Sequence, residues 1–333
     1  MKLNHLIFAV AAASCVPASA QTSINLGNYS VTGVFGLDRL NGATGGISGL
    51  EGSAITYARD RGTLFFVGDE GTGVVEISRT GQVIGSSSFT WTGTGSTNND
   101  SEGLTYLGNG QLVVAEERLQ NLYSFAYVAN STVALASTPF VSIGPTIGNV
   151  GIEGVSYDPR NGNFVTVKQD NPAELRIFNS LSFSTVAAAD AVPTTLFSGA
   201  SSLFGLLSLS DVQTLSPVDA LIGTPAADNL LLLSLDSRRL VEIDRLGNIK
   251  SVFDLANVLP NNGIEGVTID ENGTIYLIAE QDQTANAPAG VQSQLIVLSA
   301  PVPEPATYGM MLAGLGMLGF IPRRRSKQGT MKN

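Results

Sequence analysis

The 333-residue chain has one histidine, His5, and one cysteine, Cys15, and both lie in its opening stretch. That stretch, MKLNHLIFAVAAASCVPASA, reads as a secretory signal peptide over residues 1–20. It has a basic start at Lys2, an apolar run from Leu6 to Ala13, and the small-residue cleavage site Ala18-Ser19-Ala20. A lipoprotein reading through Cys15 is the alternative, but Ala12-Ala13-Ser14 lacks the large apolar residue expected before such a cysteine. Once this leader is removed, no imidazole and no thiol remain. Ser-His-Asp and Cys-His catalysis, zinc held by His or Cys, and intramolecular disulfides are then excluded.

Charge is also scarce, at 14% of residues, and one sign dominates. From Gln21 to Ala300, 12 Lys and Arg stand against 27 Asp and Glu, a net charge of −15. A body this acidic repels nucleic acid and anionic membrane surfaces and is suited to cations. The same excess would also keep an exported protein soluble. Long helix-period patterns are lacking, whereas Gly is plentiful, at 37 residues. Val, Ile, Leu and Thr recur in short runs between Gly, Asn and Asp turns, which predicts many short strands.

Those strands repeat. Glu-Gly followed by alternating apolar residues begins at Glu51 (EGSAITY), Glu102 (EGLTYL), Glu153 (EGVSYD) and Glu265 (EGVTID), at intervals of 51, 51 and 112 residues. The last interval is about twice the others, and Ser210-Asp211-Val212-Gln213-Thr214-Leu215 fills its middle with Ser-Asp in place of Glu-Gly. Each unit continues through a turn, such as LGNG or DPRNG, into a nearly continuous apolar run, such as TLFFVGDE or TIYLIAEQ, as expected of a strand covered on both faces. Third strands follow, and four units have a fourth. The expected fold is all-β, a five-bladed β-propeller of four-stranded antiparallel blades over residues 21–300. The last unit runs short, so the N-terminal run YSVTGVFGL (residues 29–37) is expected to supply its missing outer strand and close the ring. A β-helix is the main alternative, but its repeat would be shorter.

In such a blade the residue opening the first strand and the residue closing the second lie at one mouth of the channel. Glu51, Glu102, Glu153 and Glu265 would share that mouth with Glu70, Glu116, Glu117, Asp170, Asp236 and Glu280, with Asp69 and Asp211 close by. Crowded carboxylates repel unless something neutralises them. Calcium, which takes 6 to 8 oxygen ligands in irregular geometry, is suited to the task. Glu51, Glu102, Glu153, Ser210, Asp211 and Glu265 are the candidate ligands. The architectural alternative is that each Glu accepts backbone N–H bonds from a neighbouring blade.

The tail VPEPATYGMMLAGLGMLGFIPRRRSKQ combines Pro303-Glu304-Pro305, an apolar run from Tyr308 to Ile321, and the basic cluster Arg323 to Arg325. It resembles the PEP-CTERM signal of bacterial envelope proteins. The resemblance implies export, transient membrane tethering through a short transmembrane segment within residues 301–333, and processing by an exosortase. Release to the surface or to extracellular polysaccharide would follow. An ordinary C-terminal anchor is the alternative.

The run EGLTYLGNGQLVVAEERLQNLYSF, with GIEGVSYDPRNGNFVTVKQDNP, LLLLSLDSRRLVEID and IEGVTIDENGTIYLIAE, resembles the SdiA-regulated, YjiK-like proteins from about Ile47 to Ala300. The resemblance implies a five-bladed propeller, distantly related to NHL repeats, with a calcium site. It matches the family's Glu-Gly positions to Glu102, Glu153 and Glu265 and its Ser-Asp position to Ser210-Asp211. In the first blade Ser48-Gly49-Leu50 precedes Glu51-Gly52, which leaves the register there open by about three residues.

The expected function is therefore that of an exported, monomeric calcium-binding propeller, an interaction module for an exopolysaccharide or cell-surface protein. One alternative is a calcium-dependent phosphoester hydrolase, with Arg118, Lys168 and Arg238-Arg239 available to hold phosphate; another is a calcium-independent peptide or polysaccharide binder using the opposite face. Trp91, the only tryptophan, sits in a loop (Thr90–Asp100) that reads as a solvated connection.

Overall fold

The computed structural model describes residues 21–37, 51–186, 191–282 and 293–301. The chain divides into two compact units, Met1–Ser299 and Ala300–Asn333, and all but the last two described residues belong to the first. The leader at residues 1–20 and the tail past residue 301, with its apolar run, lie outside the described residues. Among the described residues no helix is long and apolar enough to cross a membrane.

Gly- and Asn-rich turns make the hairpins. Asn109 and Gly110, for example, have φ of 53° and 77°, the left-handed backbone that a two-residue hairpin turn needs. An outer strand β1 (Ser30–Gly36) precedes the first complete blade. Blade 1 is β2 (Gly52–Ala58), β3 (Thr63–Gly68), β4 (Gly73–Ile77) and β5 (Val83–Thr90). Blade 2 is β6 (Ser101–Gly108), β7 (Gln111–Glu116), β8 (Asn121–Ala126) and β10 (Phe140–Ser142), while β9 (Ser131–Ala134) leaves it to pair in parallel with β5. Blade 3 is β11 (Ile152–Asp158), β12 (Asn163–Lys168), β13 (Glu174–Asn179) and β14 (Thr194–Ser198). Blade 4 is β15 (Asp211–Thr214), β16 (Leu230–Ser234), β17 (Arg239–Ile243) and β18 (Ile249–Asp254). Blade 5 is β19 (Asn262–Ile269), β20 (Ile275–Asp282) and β21 (Gln294–Ser299), completed by β1.

The innermost strands touch in ring order, β2 to β6, β11, β15, β19 and back to β2. The fold is a five-bladed β-propeller. The ring closes as the short last unit predicts: β1 pairs antiparallel with β21, from Ser30 opposite Ser299 to Gly36 opposite Gln294. The segment before β1 adds a second tie. Buried Glu242 on β17 accepts hydrogen bonds from Ser23 Oγ (2.5 Å), Ile24 N (3.1 Å), Asn229 Nδ2 (2.7 Å) and Ser251 Oγ (2.7 Å). The N-terminal arm is thereby fastened to blade 4 before it completes blade 5.

The core lies between blades rather than within them. Phe65 on β3 packs into a cluster shared with blade 2, and its neighbour Phe66 packs into one shared with blade 5. Successive residues of a strand point to opposite faces, so a strand covered on both faces is apolar throughout. This is why the second-strand runs lack a two-residue alternation.

Two further devices join the inner strands. The first is the glycine of Glu-Gly. A Cβ on Gly154 would lie 2.7 Å from Asp211 Cα and 2.9 Å from Val212 N, and one on Gly266 would lie 2.8 Å from Ser53 O. These glycines let adjacent inner strands approach. Gly154→Ala is expected to destabilise the fold by about 1–3 kcal/mol, because the blades must separate to admit the methyl group; a urea melt reads this as a lower midpoint. The second device is a ring of hydroxyls. Thr56 Oγ1 accepts Tyr106 N (3.1 Å), Thr105 Oγ1 accepts Tyr157 N (3.0 Å), and Ser156 Oγ accepts Thr214 N (3.0 Å). Thr268 Oγ1 donates to Gln213 Oε1 (3.1 Å) and accepts Tyr57 N (3.0 Å), which closes the circle.

Candidate metal centre

Three of the four Glu residues of the repeat sit at a β-bulge. The pairing of β6 with β7 shifts between Ser101 and Gly103, that of β11 with β12 between Ile152 and Gly154, and that of β19 with β20 between Ile264 and Gly266. The skipped residues are Glu102, Glu153 and Glu265. A bulge leaves its extra residue unpaired and re-aims its side chain, and here the three acids come into mutual electrostatic contact. Burial raises the pKa of Glu265 and of Glu153; Glu102 adds to both shifts, and Glu153 adds to that of Glu265.

The first blade has its bulge between Gly52 and Ala54, so the position equivalent to these Glu residues is Ser53. Glu51 stands two residues earlier, ahead of β2. Ser48-Gly49-Leu50 followed directly by Glu51-Gly52 obscures this register, because two residues along a strand is a full side-chain period. Glu51 still reaches the same mouth: its carbonyl accepts Asp69 N (3.1 Å), and its carboxylate raises the pKa of Asp69.

Among the described residues Asp69, Asp100 and Glu102 form a group whose ligating oxygens lie within 4.8 Å of one another. Two unit negative charges at that separation repel by about 3 kcal/mol at an effective dielectric of roughly 20. Burial pushes the Asp69 carboxyl up to about 8, and Glu51, Glu70 and Asp100 push it the same way. Burial, then Asp100 and Asp69, raise Glu102 well above the usual carboxylate range. Glu117 is pushed up to about 7 by burial and Asp100, although Gly151 N donates to it at 2.9 Å. Arg118 offsets part of this charge, pairing with Asp100 (2.6 Å) and reaching Glu117 at 4.0 Å. Among the described residues Asp69 Oδ1 has no hydrogen-bond partner, though it is buried.

Asp100 is the member that sequence reading missed, since it lies in the loop read as a connection. Asp100-Ser101-Glu102 does carry a signal, as residues two apart at a strand's start face the same way. The other acids divide. Both oxygens of Asp211 accept backbone N–H groups, from Val212 and from Val267 of the next blade, each at 2.7 Å. Ser210 Oγ accepts Leu235 N (2.9 Å). Asp211 thus clasps blade 4 to blade 5, while Ser210 bonds within blade 4. Glu116 is buried, taking Ser96 Oγ and Leu119 N (2.6 Å each), while Asp170 and Asp236 are exposed. Glu280 lies beside Glu265 and raises its pKa.

The loop joins blades 1 and 2 and is exposed or half-buried from Thr92 to Asn99, as a solvated connection should be, but Trp91 at its start is not. It is buried between blades 1 and 2, meets Phe89 and Tyr123 edge-on, and donates Nε1–H to Gly71 O (2.6 Å). Three of the four cations considered for phosphate are engaged by the protein itself, and the fourth, Arg239, is exposed. Arg118 also bonds Asn149, Lys168 Nζ donates to the carbonyls of Asp170 and Pro172, and Arg238 clasps the carbonyls of Val258, Leu259 and Asn262.

The donor set is oxygen throughout, carboxylates with adjacent hydroxyl and carbonyl groups, which suits a hard cation. Oxygens on one calcium ion, at roughly 2.3–2.6 Å from it, lie at most about 5 Å apart. The separations of Asp69, Asp100 and Glu102 and the orphaned oxygen of Asp69 fit that requirement.

Among solved structures the chain is similar to the glutaminyl cyclase of Myxococcus xanthus, at 12% identity, covering 83% of this chain and 97% of that one with a TM-score of 0.49. It is also similar to a luciferin-regenerating enzyme (12% identity, 81% and 95% covered, TM-score 0.47) and a streptogramin B lyase (11%, 84% and 76%, TM-score 0.39). Similarity at this level says nothing of function. Residues 301–325 match the PEP-CTERM protein-sorting motif, which marks the chain for export to the cell envelope and for processing by exosortase. Residues 39–283 match the SdiA-regulated family, and the chain belongs to it.

Proposed function

We propose that this protein is an exported calcium-binding β-propeller that acts as an interaction module at the cell surface or in the extracellular matrix. The observation that carries the reading is the group Asp69, Asp100 and Glu102 at one mouth of the channel, with oxygens within 4.8 Å and one of them buried without a partner. Asp69, Asp100 and Glu102 would hold the ion, and Glu153 and Glu265 would complete the negative field behind it. Bound calcium would supply open coordination positions for oxygen atoms of an extracellular polysaccharide or surface protein. The chain's own residues prepare the site: the bulges aim the acids, the glycines bring the inner strands together, and Arg118 orients Asp100.

The phosphoester-hydrolase reading needs cations free to hold phosphate, and no observation favours it over a binding role. Calorimetric titration of the metal-stripped full chain tests the proposal. Calcium is expected to bind saturably, and Asp69→Asn is expected to weaken it at least tenfold. Absence of calcium binding by the folded protein would leave the acids as blade architecture.

A further inference from the structure

The opposite mouth of the channel, where the first hairpin turn of each blade lies, holds a separate cavity of about 480 Å³. This is within the size range of small-molecule sites, ~300–1,000 Å³. Its floor is the hydroxyl ring, and Tyr57, Tyr106 and Tyr157 from three successive blades contribute to its walls. We propose that this cavity is a binding site for an uncharged saccharide, such as a terminal sugar unit of an oligosaccharide.

Three features select that chemistry. First, the lining is electrically balanced. Its charged residues are Arg59 and Asp60, one of each sign; Arg59 pairs with Asp219 (2.8 Å), and Asp60 accepts Asn109 N (3.1 Å). An anionic ligand would find no spare cation, in contrast to the strongly negative far mouth. Second, the cavity offers hydroxyl donors. Thr56 and Thr105 each accept one backbone N–H, and among the described residues their own protons have no acceptor. The Tyr157 phenol likewise makes no hydrogen bond among the described residues. A ligand rich in acceptor oxygens would satisfy them. Third, Leu107, Ile269, Pro159 and Pro217 add carbon surface beside the tyrosines. A sugar ring has both an apolar C–H face and a rim of hydroxyls, which matches apolar walls over a polar floor. A peptide would seek an open strand edge. Here N–H groups of the inner strands are taken up by the hydroxyls of the adjacent blade.

The site does not depend on the metal, so the two proposals fail separately. The test is calorimetric titration of the calcium-loaded full chain with the neutral disaccharides maltose, cellobiose and lactose. Glucuronic acid and a neutral tripeptide serve as comparators. Saturable binding of a neutral disaccharide is expected. Pro159→Trp, at the exposed rim, is expected to abolish it by capping the mouth. Tyr157→Phe, which removes one hydroxyl and keeps the ring, is expected to weaken it about three- to tenfold. Thermal melts matching the parent protein show that both variants are folded. The proposal is overturned if no neutral disaccharide binds, if folded Pro159→Trp binds normally, or if only glucuronic acid or the tripeptide binds. Sugar binding that chelation removes while Pro159→Trp retains it places the ligand at the acidic mouth, and also overturns the proposal.

Discussion

Saturating calcium is expected to raise the thermal midpoint of the metal-stripped full chain by roughly 5 °C or more, and magnesium by less. A ligand at 100 times its dissociation constant contributes ~2.7 kcal/mol, and 1 kcal/mol moves the midpoint of a domain of 150–250 residues by about 2–4 °C. The rise should vanish in Glu102→Gln and Asp69→Asn. These substitutions also remove repulsion, so the metal-free variants should melt at or above the metal-free parent.

The same carboxylates predict an unusual pH dependence. Burial and mutual repulsion raise Asp69 to about 8 and Glu117 to about 7, and Glu102, Glu153 and Glu265 rise with them. Groups whose pKa is raised on folding bind more protons in the folded state. Their stabilisation is complete below the unfolded carboxylate range near pH 4 and is lost as pH climbs toward 8. Metal-free protein should therefore melt higher at pH 5 than at pH 8. Calcium competes with those protons, so its stabilising effect should grow over the same interval. Melts at both pH values, with calcium and with chelator, check this. A metal-free midpoint that rises with pH would mean the acids are not mutually crowded.

Glu242→Ala is expected to cost about 3 kcal/mol or more and to lower the thermal midpoint by roughly 10 °C. The carboxylate is fully buried and accepts four hydrogen bonds, two of them from the N-terminal arm. Bonds to a charged acceptor contribute about 1.5–3 kcal/mol each, and the stranded donors of Asn229 and Ile24 add their own desolvation cost. The arm holds β1, and β1 completes blade 5, so the loss should spread. Hydrogen exchange should quicken at Val34 and Leu295, in the paired strands β1 and β21, as well as beside residue 242. A midpoint within 2 °C of the parent would show that the arm is held chiefly by strand pairing.

The repeat was legible because it is written in residues whose geometry is restrictive. Glu-Gly marks the bulge and the close approach, Asn-Gly and Asp-rich turns mark the hairpins, and the apolar second strands mark the covered faces. A last unit one strand short was enough to locate β1. The hydroxyl ring was not legible. Thr56, Thr105, Ser156, Gln213 and Thr268 differ in type and look like ordinary strand formers until the ring brings each beside the next blade. Asp100 was hidden for a similar reason: its loop is polar throughout, and only the fold of blade 1 brings Asp69 to it. Asp211 shows the reverse. Its chemistry suits a cation, but its position two residues ahead of Gln213 sets both oxygens against backbone N–H groups.

The pairing of β1 with β21 also sets an order of events. The strand nearest the N-terminus and the last strand of the propeller share one blade, separated by the other four. A chain emerging from its N-terminus can build blades 1 to 4 in succession, but β1 waits without its partner until residues 294–299 arrive. Loop-closure entropy makes so distant a pairing slow, and an unpaired strand edge is exposed in the interval. The sorting motif begins only two residues after β21, at residue 301. The strand that completes the ring and the motif that exosortase processes therefore emerge almost together, so that one short stretch around residue 300 joins the keystone of the propeller to its sorting signal.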